Sequence, residues 1–458
     1  MRDRRWLVAA LVFALIGAAC QAGGEAPEGT QAPGTTAAPT ETTAPPEAAE
    51  DTTPTTAVFG GEGEPVRVMA SWGGDEAAGF FEVLEAFTAE TNIPVQYEGQ
   101  RELPTVLPTR VAGGNPPDVA MVPRPGIVGG FVADGVLVPL DDILGDALAE
   151  NYSQAFIDLG TFDGQFYGLS AKANSKSTFW YKPPSFEEQG FEVPETWDET
   201  LTIVDGYVEA GETPLSIGGQ DAWTLTDWFE NLYIRVAGPE MYHQLFVTHE
   251  VAWTDPTVVE AMEHFQTIIA PTDEKLVGGA AGALSTGFID AFDQMLAGDA
   301  SMHYEGGFMG AFAEQNFPDL EAGTDYDWFE FPEINPEFGK PVVGGGDMAV
   351  LFNDNERAAE LIRFLATPEA GEVWATAERG AVISPNQSVP LDVYGGGLRQ
   401  KEAEVVLEAE IYVFDGSDLA PPEVGGDAMF SGLQGFIDNP DDIEGTLQFI
   451  EDVAAGAY

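Results

Sequence analysis

The sequence predicts an α/β protein of two lobes, each built from strands that alternate with helices. Three observations lead to this expectation. Short apolar runs alternate with longer segments whose apolar residues recur at helical spacing, a pattern that favours a parallel sheet covered by helices. Residues 65–458 are long enough for two substantial cores. The alternation begins again with new sequence after residue 173, and no internal repeat relates the two halves.

The first lobe is expected to begin with a strand at Val66–Ala70 and a helix over residues 76–90. The next elements alternate in type, as strand, helix, strand and helix: Ile93–Tyr97, Leu103–Ala112, Pro117–Val122 and Gly126–Ala133. Ligands bind beyond the carboxyl ends of the strands in such sheets. Trp72, which follows the first strand, is therefore expected in a loop that faces a ligand.

The second half repeats the pattern after a predicted crossing between lobes at Tyr167–Asn174. Thr196 and Glu199 form a capping box, which predicts the start of a helix. The other predicted elements are strands at Ser177–Tyr181, Pro214–Gly218, Ala300–Tyr304 and Val342–Phe352, and helices at Asp227–Ala237, Val258–Ile269 and Arg357–Ala366.

The N-terminal residues carry an export signal. Three arginines precede an apolar stretch, Trp6–Ala19, which is too short to span a bilayer and suits a cleaved signal peptide over residues 1–19. Cys20, the only cysteine, follows Gly17, Ala18 and Ala19, an order that resembles the lipobox of bacterial lipoproteins and implies a lipid anchor. An ordinary signal peptide with an incidental cysteine is the alternative. Residues 20–64 are polar and low in complexity, which predicts a disordered tether.

Composition excludes several functions. The chain has 77 acidic and 18 basic residues and a formal net charge of −59, which argues against binding to nucleic acid or to anionic lipid. The four histidines show no metal-binding spacing, and no nucleophile elbow or phosphate-binding loop occurs. We therefore expect no catalytic residues, no metal and no cofactor.

Eight short motifs follow one another along the chain: Trp72–Glu76, Gly114–Asp118, Tyr167–Gly168 with Lys172–Asn174, Pro194–Glu199, Thr226–Trp228, Gly345–Ala349, Ala366–Gly371 and Phe414–Leu419. With these motifs the chain resembles the extracellular solute-binding proteins of ABC importers, in particular the carbohydrate-binding lipoproteins of the alpha-glucoside type. The resemblance implies a periplasmic-binding-protein-like fold, in which two discontinuous lobes close by a hinge on a ligand in the cleft between them.

The resemblance also implies where the chain changes lobes. Lobe 1 would comprise residues 65–172 and 340–380, and lobe 2 residues 173–339 and 381–458, with crossings near Ala171, Lys340 and Ala381. Many relatives carry a cysteine pair where this chain has Ser216 and Ser301, so that disulfide is absent.

A sugar site needs aromatic rings for the flat sugar faces and charged or amide groups for the hydroxyls. The candidates expected in the first lobe are Trp72, Asp75, Arg101 and Asp347, and those in the second are Lys172, Asn174, Trp223, Asp227, Tyr304, Glu305 and Asp418. For three of these residues a structural role is the alternative to ligand binding. Trp72 could pack in the core, Asp347 could cap a turn, and Arg101 could form an ion pair with one of the many acids.

The sequence therefore predicts a monomeric, lipid-anchored receptor that binds a carbohydrate and delivers it to an ABC permease. The expected ligand is an alpha-glucoside or another oligosaccharide. Two alternatives remain at this point. One is a secreted, lipid-anchored glycoside hydrolase that uses two carboxylates. The other is a binding protein for a solute that is not a sugar, such as a polyol or a peptide.

Overall fold

A computed structural model describes residues 55–379 and 382–458. The signal peptide, Cys20 and most of the expected tether lie outside the described residues. The strands are β1 (Thr55–Phe59), β2 (Val66–Ala70), β3 (Val95–Gly99), β4 (Val119–Val122), β5 (Thr161–Phe162), β6 (Gln165–Phe166), β7 (Leu169–Ser175), β8 (Thr178–Tyr181), β9 (Leu215–Ser216), β10 (Met302–Glu305), β11 (Asp327–Glu330), β12 (Val342–Leu351) and β13 (Tyr412–Phe414).

The first ten helices are α1 (Gly74–Thr91), α2 (Leu103–Ala112), α3 (Pro125–Ala133), α4 (Asp141–Leu144), α5 (Asp146–Asn151), α6 (Gln154–Leu159), α7 (Pro183–Gln189), α8 (Trp197–Ala210), α9 (Trp223–Phe246) and α10 (Pro256–Ile269). The others are α11 (Thr272–Lys275), α12 (Gly279–Ser285), α13 (Phe288–Ala297), α14 (Met309–Asn316), α15 (Glu356–Leu365), α16 (Pro368–Ala375), α17 (Gly397–Glu408), α18 (Gly416–Leu419), α19 (Met429–Asp438) and α20 (Ile443–Ala457). Within the described ranges, no helix combines the length and hydropathy needed to cross a bilayer.

The larger sheet has the strand order β1-β3-β2-β4-β12-β13, with β7 also paired to β12. Its centre follows the prediction, because β2 runs parallel to both β3 and β4. The sheet as a whole is mixed, since β12 is antiparallel to β4 and to β7. Adjacent side chains of β2 lie on opposite faces of the sheet, so Val68 packs in one apolar cluster and Met69 in another. This sheet forms the centre of the first lobe.

The second lobe contains a four-stranded sheet of order β11-β8-β10-β9. One face packs against α9, α10 and the C-terminal helices, in a cluster that includes Trp228 and Phe436. Helix α9 is longer than the predicted Asp227–Ala237. It begins at Trp223 and continues past a kink at Gly238, whose φ of 78° is reached easily by glycine and which precedes Pro239. The predicted capping box is present: Thr196 and Glu199 cap the start of α8.

The segment before β13 contacts both lobes. Ile383 and Tyr394 belong to the apolar cluster of the larger sheet, whereas Leu398 packs against a cluster of the second lobe that includes Trp328. The last crossing near Ala381 therefore stays a prediction.

The predicted tether also ends earlier than expected. Residues 55–59 form β1, which pairs antiparallel with β3 along its full length. The segment Thr-Thr-Ala-Val-Phe is rich in residues that favour strands, and its last side chain, Phe59, is buried against Phe81 with ring centroids 5.5 Å apart. This strand covers an edge that β3 would otherwise expose.

Candidate functional site

Strands β7 and β12 cross side by side from one lobe to the other and carry polar side chains on a shared face. Lys172 lies opposite Asp347, and Asn174 lies opposite Gly345. The Nζ atom of Lys172 is 2.9 Å from Oδ2 of Asp347. Because β4 ends where Met348 pairs with Val122, this ion pair lies at the carboxyl edge of the larger sheet, where ligands bind in such folds.

Trp72 forms the wall beside this ion pair. The Lys172 ammonium lies 4.5 Å from the centroid of the Trp72 ring, a geometry typical of a cation–π contact. The ring is only 1% exposed and makes edge contacts with Phe80 and Trp374, at centroid distances of 5.2 and 5.3 Å. Trp72 therefore packs in the core and also lies under a candidate ligand group.

Asp347 is a buried carboxyl with spare hydrogen-bonding capacity. It is 4% exposed, and its Oδ1 atom has no hydrogen-bond partner. Burial raises the pKa of Asp347, and the neighbouring Lys172 partly offsets that rise. An unpartnered oxygen in a buried position is costly, so Oδ1 is suited to accept a hydrogen bond from a ligand.

A second group of charges surrounds Lys176, which the sequence did not single out. Its Nζ atom lies 3.0 Å from Oδ1 of Asp227 and also contacts Asp415. The same ammonium is 5.0 Å from the centroid of the Trp223 ring. This arrangement repeats the first one, with a tryptophan, a lysine and a carboxylate in contact.

The pKa values of the two carboxyls in contact with Lys176 are shifted in opposite directions. Burial raises the pKa of Asp227 well above its usual range, despite Lys176. Burial also disfavours ionisation of Asp415, but Lys176 and hydrogen bonds from its neighbours hold the pKa of Asp415 below its ordinary value. Oδ2 of Asp227 has no hydrogen-bond partner, and carboxylate oxygens of Asp227 and Asp415 lie within 4.8 Å of each other. The two acids therefore share one ammonium.

Among the described residues, Asp227, Glu230 and Asp415 are the group whose carboxylate oxygens lie close enough to hold a metal ion, within 4.8 Å of one another. Glu230 already accepts hydrogen bonds from the backbone N–H groups of Gly416 and Ser417, at 2.8 and 2.9 Å. Lys176 pairs with the other two acids. Protein groups therefore contact all three carboxyls, and Oδ2 of Asp227 is left without a hydrogen-bond partner.

Asp418 joins the two lobes. Its Oδ1 atom lies 3.0 Å from Nε of Arg124, so α18 is tied to the start of α3. Burial and the nearby Asp415 raise the pKa of Asp418 to about 7, although Lys176 and Arg124 act in the other direction. The sequence analysis predicted Asp418 and missed Arg124. The available signal was position, because Arg124 follows the carboxyl end of β4 just as Trp72 follows that of β2.

The aromatic surface of the second lobe is larger than predicted. The half-buried ring of Trp223 makes an edge contact with Phe288 at 5.2 Å and lies 6.3 Å from Phe308. Neither phenylalanine was predicted. Phe308 follows Gly306 and Gly307 after β10, so its place beyond a strand end was the available signal.

The other predicted residues lie outside these two groups. Tyr304 is buried, and its hydroxyl lies 2.6 and 2.9 Å from the carbonyl oxygens of Lys176 and Asp227, which share its one proton. Glu305 is 1% exposed and accepts a hydrogen bond from the N–H of Gly306; burial raises the pKa of Glu305 to about 8.

Three further predicted residues differ in their surroundings. Arg101 is exposed and pairs with Glu76 at 2.8 Å, as its plainer interpretation anticipated. Asp75 lies in the first turn of α1, next to the loop of Trp72. Asn174 lies on the crossing strand, where its Oδ1 accepts a hydrogen bond from the N–H of Gly345 at 2.9 Å.

A cavity of about 700 Å³ lies elsewhere, between β11 and α17. Its lining includes Tyr181, Phe329 and Lys401 and none of the predicted site residues. Its wall has a similar group of its own, since the Lys401 ammonium lies 4.3 Å from the centroid of the Trp328 ring and 3.0 Å from Oδ1 of Asp327. The crossing strands remain the candidate site because they lie at the carboxyl edge of the larger sheet.

Comparison with known proteins agrees with this geometry. The family model described as bacterial extracellular solute-binding protein matches residues 73–372. The osmoprotective compounds-binding protein GgtB of Synechocystis is 35% identical over 383 residues, which cover 82% of this chain and 89% of that protein. The alpha-glucosides-binding periplasmic protein AglE of Rhizobium meliloti is 34% identical over 392 residues, covering 82% of this chain and 84% of AglE.

Solved structures share the fold at lower identity. The bacterial solute receptor AcbH, described as having an exclusive preference for β-D-galactopyranose, superposes with a TM-score of 0.74 at 22% identity, covering 85% of this chain and 98% of AcbH. The binding protein RafE in complex with raffinose gives a TM-score of 0.67 at 18% identity and covers 85% of this chain and 98% of RafE. These likenesses establish the two-lobe α/β fold.

Proposed function

Since this chain belongs to the bacterial extracellular solute-binding proteins, which work outside the cytoplasm with ABC transporters, we propose that it captures a carbohydrate and delivers it to a permease. An alpha-glucoside or another oligosaccharide is the ligand class. The observation that carries the proposal is the pair of tryptophan–lysine–carboxylate groups along the crossing strands: Trp72 with Lys172 and Asp347, and Trp223 with Lys176 and Asp227.

The chemistry of these groups suits a sugar. A hydroxyl donates one hydrogen bond and accepts others, so it can bind an ammonium and a carboxylate at the same time. The half-buried ring of Trp223 offers an apolar surface to the flat face of a pyranose. The name of AglE refers to alpha-glucosides and supports a polyhydroxylated ligand, and the name of GgtB refers to osmoprotective compounds.

Capture would work by closure of the two lobes. Trp72 and Asp347 belong to the first lobe, in the loop after β2 and in β12, whereas Trp223 and Asp227 lie in the first turns of α9 in the second lobe. A ligand that contacts both sets gains its full binding energy only in the closed state. Binding then shifts the equilibrium toward closure by that difference in affinity, and a permease can recognise the closed form.

We also propose that a lipid on Cys20 holds this monomeric protein on the outer face of the membrane. Replacing Cys20 with alanine should move the protein from the membrane fraction to the surrounding medium or periplasm. A membrane fraction that is unchanged by the C20A substitution would contradict the lipid anchor.

The first experiment is a thermal-shift screen of the protein against mono-, di- and trisaccharides, polyols and peptides, with analysis of any products. A ligand at 100 times its dissociation constant should add about 2.7 kcal/mol to the free energy of unfolding. We expect stabilisation by a sugar that is recovered intact. Cleavage of the sugar would indicate a hydrolase, and stabilisation by polyols or peptides alone would change the ligand class.

A further inference from the structure

Helices α3 and α18 meet across the two lobes, but their apolar side chains belong to different clusters. Helix α3 packs through Val128 and Phe131 against a face of the larger sheet in the first lobe. Leu419 of α18 packs against the large apolar cluster of the second lobe. Separating the two helices therefore leaves both apolar clusters intact.

An ion pair bridges the two helices. The Nε atom of Arg124, which precedes α3, lies 3.0 Å from Oδ1 of Asp418, and the two side chains are 35% and 24% exposed. A half-buried pair is screened by salt less than a pair on the open surface. It still borders solvent, so it can form and break as the lobes move.

The backbones of the two helices also come close together. A Cβ atom added at Gly126, in the first turn of α3, would lie 2.9 Å from the carbonyl oxygen of Leu419 and 3.2 Å from that of Asp418. A methyl group so close to a backbone oxygen would force the two helices apart. Gly126 therefore allows the protein groups of the two lobes to touch directly at this point.

The α18 side of this contact is connected to the candidate site. The backbone N–H of Asp418 donates to Oδ1 of Asp415 at 3.1 Å, and Asp415 in turn contacts Lys176. Burial raises the pKa of Asp418, and Lys176 and Asp347, one from each tryptophan–lysine–carboxylate group, also act on it. The contact between the lobes therefore lies close to both groups that we propose bind the ligand.

This inference rests on the lobe closure of the proposed function and does not depend on the ligand being a sugar. We propose that Arg124, Gly126 and Asp418 form a latch that stabilises the closed arrangement of the lobes through protein groups alone. Part of the free energy of closure then comes from the protein itself. Arg124 is a positioning residue in this scheme, because an apparent dissociation constant falls as the closed fraction of the free protein rises.

The test measures the distance between α3 and the segment that follows α18 in the full chain. Cys20 is the only cysteine, so a Cys20→Ala chain that carries Asp134→Cys and Glu423→Cys takes up two spin labels. Both positions are exposed, and they lie just beyond α3 and α18. Pulsed electron paramagnetic resonance at pH 8, without sugar, gives the fraction of molecules whose label distance matches this structure, which is the closed fraction.

We expect Arg124→Gln and Asp418→Asn each to lower the ratio of closed to open molecules by roughly 3- to 10-fold, the effect of losing one half-buried ion pair. The double variant should match either single variant, because the pair is already broken. Gly126→Ala should shift the ratio in the same direction. Gly130→Ala is its matched control, because position 130 is an exposed glycine of the same helix with no atom within 4 Å of the added carbon, and it should match wild type.

An unchanged ratio in Arg124→Gln, or a double variant that shows the sum of the two single effects, would overturn the latch. Wild-type molecules found only at a longer distance would do the same. Titration with maltose tests a direct role of Arg124: weaker maltose binding with an unchanged closed fraction would make it a ligand contact and not part of a latch. If maltose does not bind, the proposed ligand class loses support, whereas the label distances still decide whether the latch exists.

Discussion

Replacing Lys176 with methionine should destabilise the protein strongly, and the loss should depend on pH. Methionine keeps most of the apolar stem and removes the ammonium, which lies between Asp227 and Asp415 and is 12% exposed. Removing one partner of a buried ion pair costs about 3–5 kcal/mol, because the remaining charge has no compensation. We expect a loss of this size in the free energy of unfolding at pH 8.

The pH dependence follows from the titration of Asp415. In wild type, Lys176 is the main reason that the pKa of Asp415 lies below its ordinary value, so this carboxyl stabilises the folded state above its unfolded pKa and loses that effect as pH falls. Without Lys176, burial dominates and raises the pKa of Asp415. The carboxyl can then take up a proton at pH 5, and the cost of the substitution should be smaller there than at pH 8.

Urea denaturation followed by tryptophan fluorescence at both pH values measures this difference. The double variant Lys176→Met, Asp415→Asn removes the unpaired charge together with the ammonium, and it should recover at least half of the loss at pH 8. Equal losses at pH 5 and pH 8, or a double variant no more stable than Lys176→Met alone, would refute the electrostatic explanation.

Three further outcomes are expected. Burial raises the pKa of Glu402 to about 7, so the contribution of this carboxyl to stability should fall as pH rises from about 4.5 past 7. Glu402→Gln can still accept the hydrogen bond from Ser175, so in thermal melts it should gain stability relative to wild type between pH 5 and 8.5, by up to about 3 kcal/mol at pH 8. Gly346→Ala should lose about 1–3 kcal/mol in urea melts, because the new Cβ would lie 2.1 Å from the carbonyl oxygen of Lys172. Arg101→Ala should change stability by less than about 1 kcal/mol, since its ion pair is exposed, and should leave the sugar affinity of wild type unchanged in titrations.

The first lobe was predictable because its pattern is local. Strands β2, β3 and β4 are short apolar runs separated by helices, and each lies close to its predicted bounds. The parallel arrangement then placed Trp72 at the carboxyl edge, where it meets Lys172. Pattern reasoning works here because each element buries its own apolar face and the connections between elements are short.

The second charge cluster depends on contacts that no local pattern shows. Lys176 and Asp415 are 239 residues apart in the sequence and meet only because two crossing segments pass the start of α9. Strand β13 has three residues, which is too short for a periodic signal. Lys176 itself had a signal that was overlooked, because it continues the alternation of Lys172 and Asn174.

The early start of the ordered domain was missed for a different reason. The five residues of β1 follow a long polar segment with the composition of a disordered chain. They form a strand because β3 offers an unpaired edge. A strand that forms only because a neighbouring edge is available carries a weaker signal in its own sequence than a buried strand does.

Strand β1 has a practical consequence for anyone who prepares this protein. A shortened protein that begins at residue 65, as the sequence alone would suggest, lacks β1. The N–H and C=O groups on the edge of β3 that faces β1 then have no partner, while the other edge stays paired with β2. Such an edge is a template for pairing with a second molecule. Preparations that begin at residue 65 should therefore self-associate as concentration rises, and those that begin ahead of Thr55 should stay monodisperse.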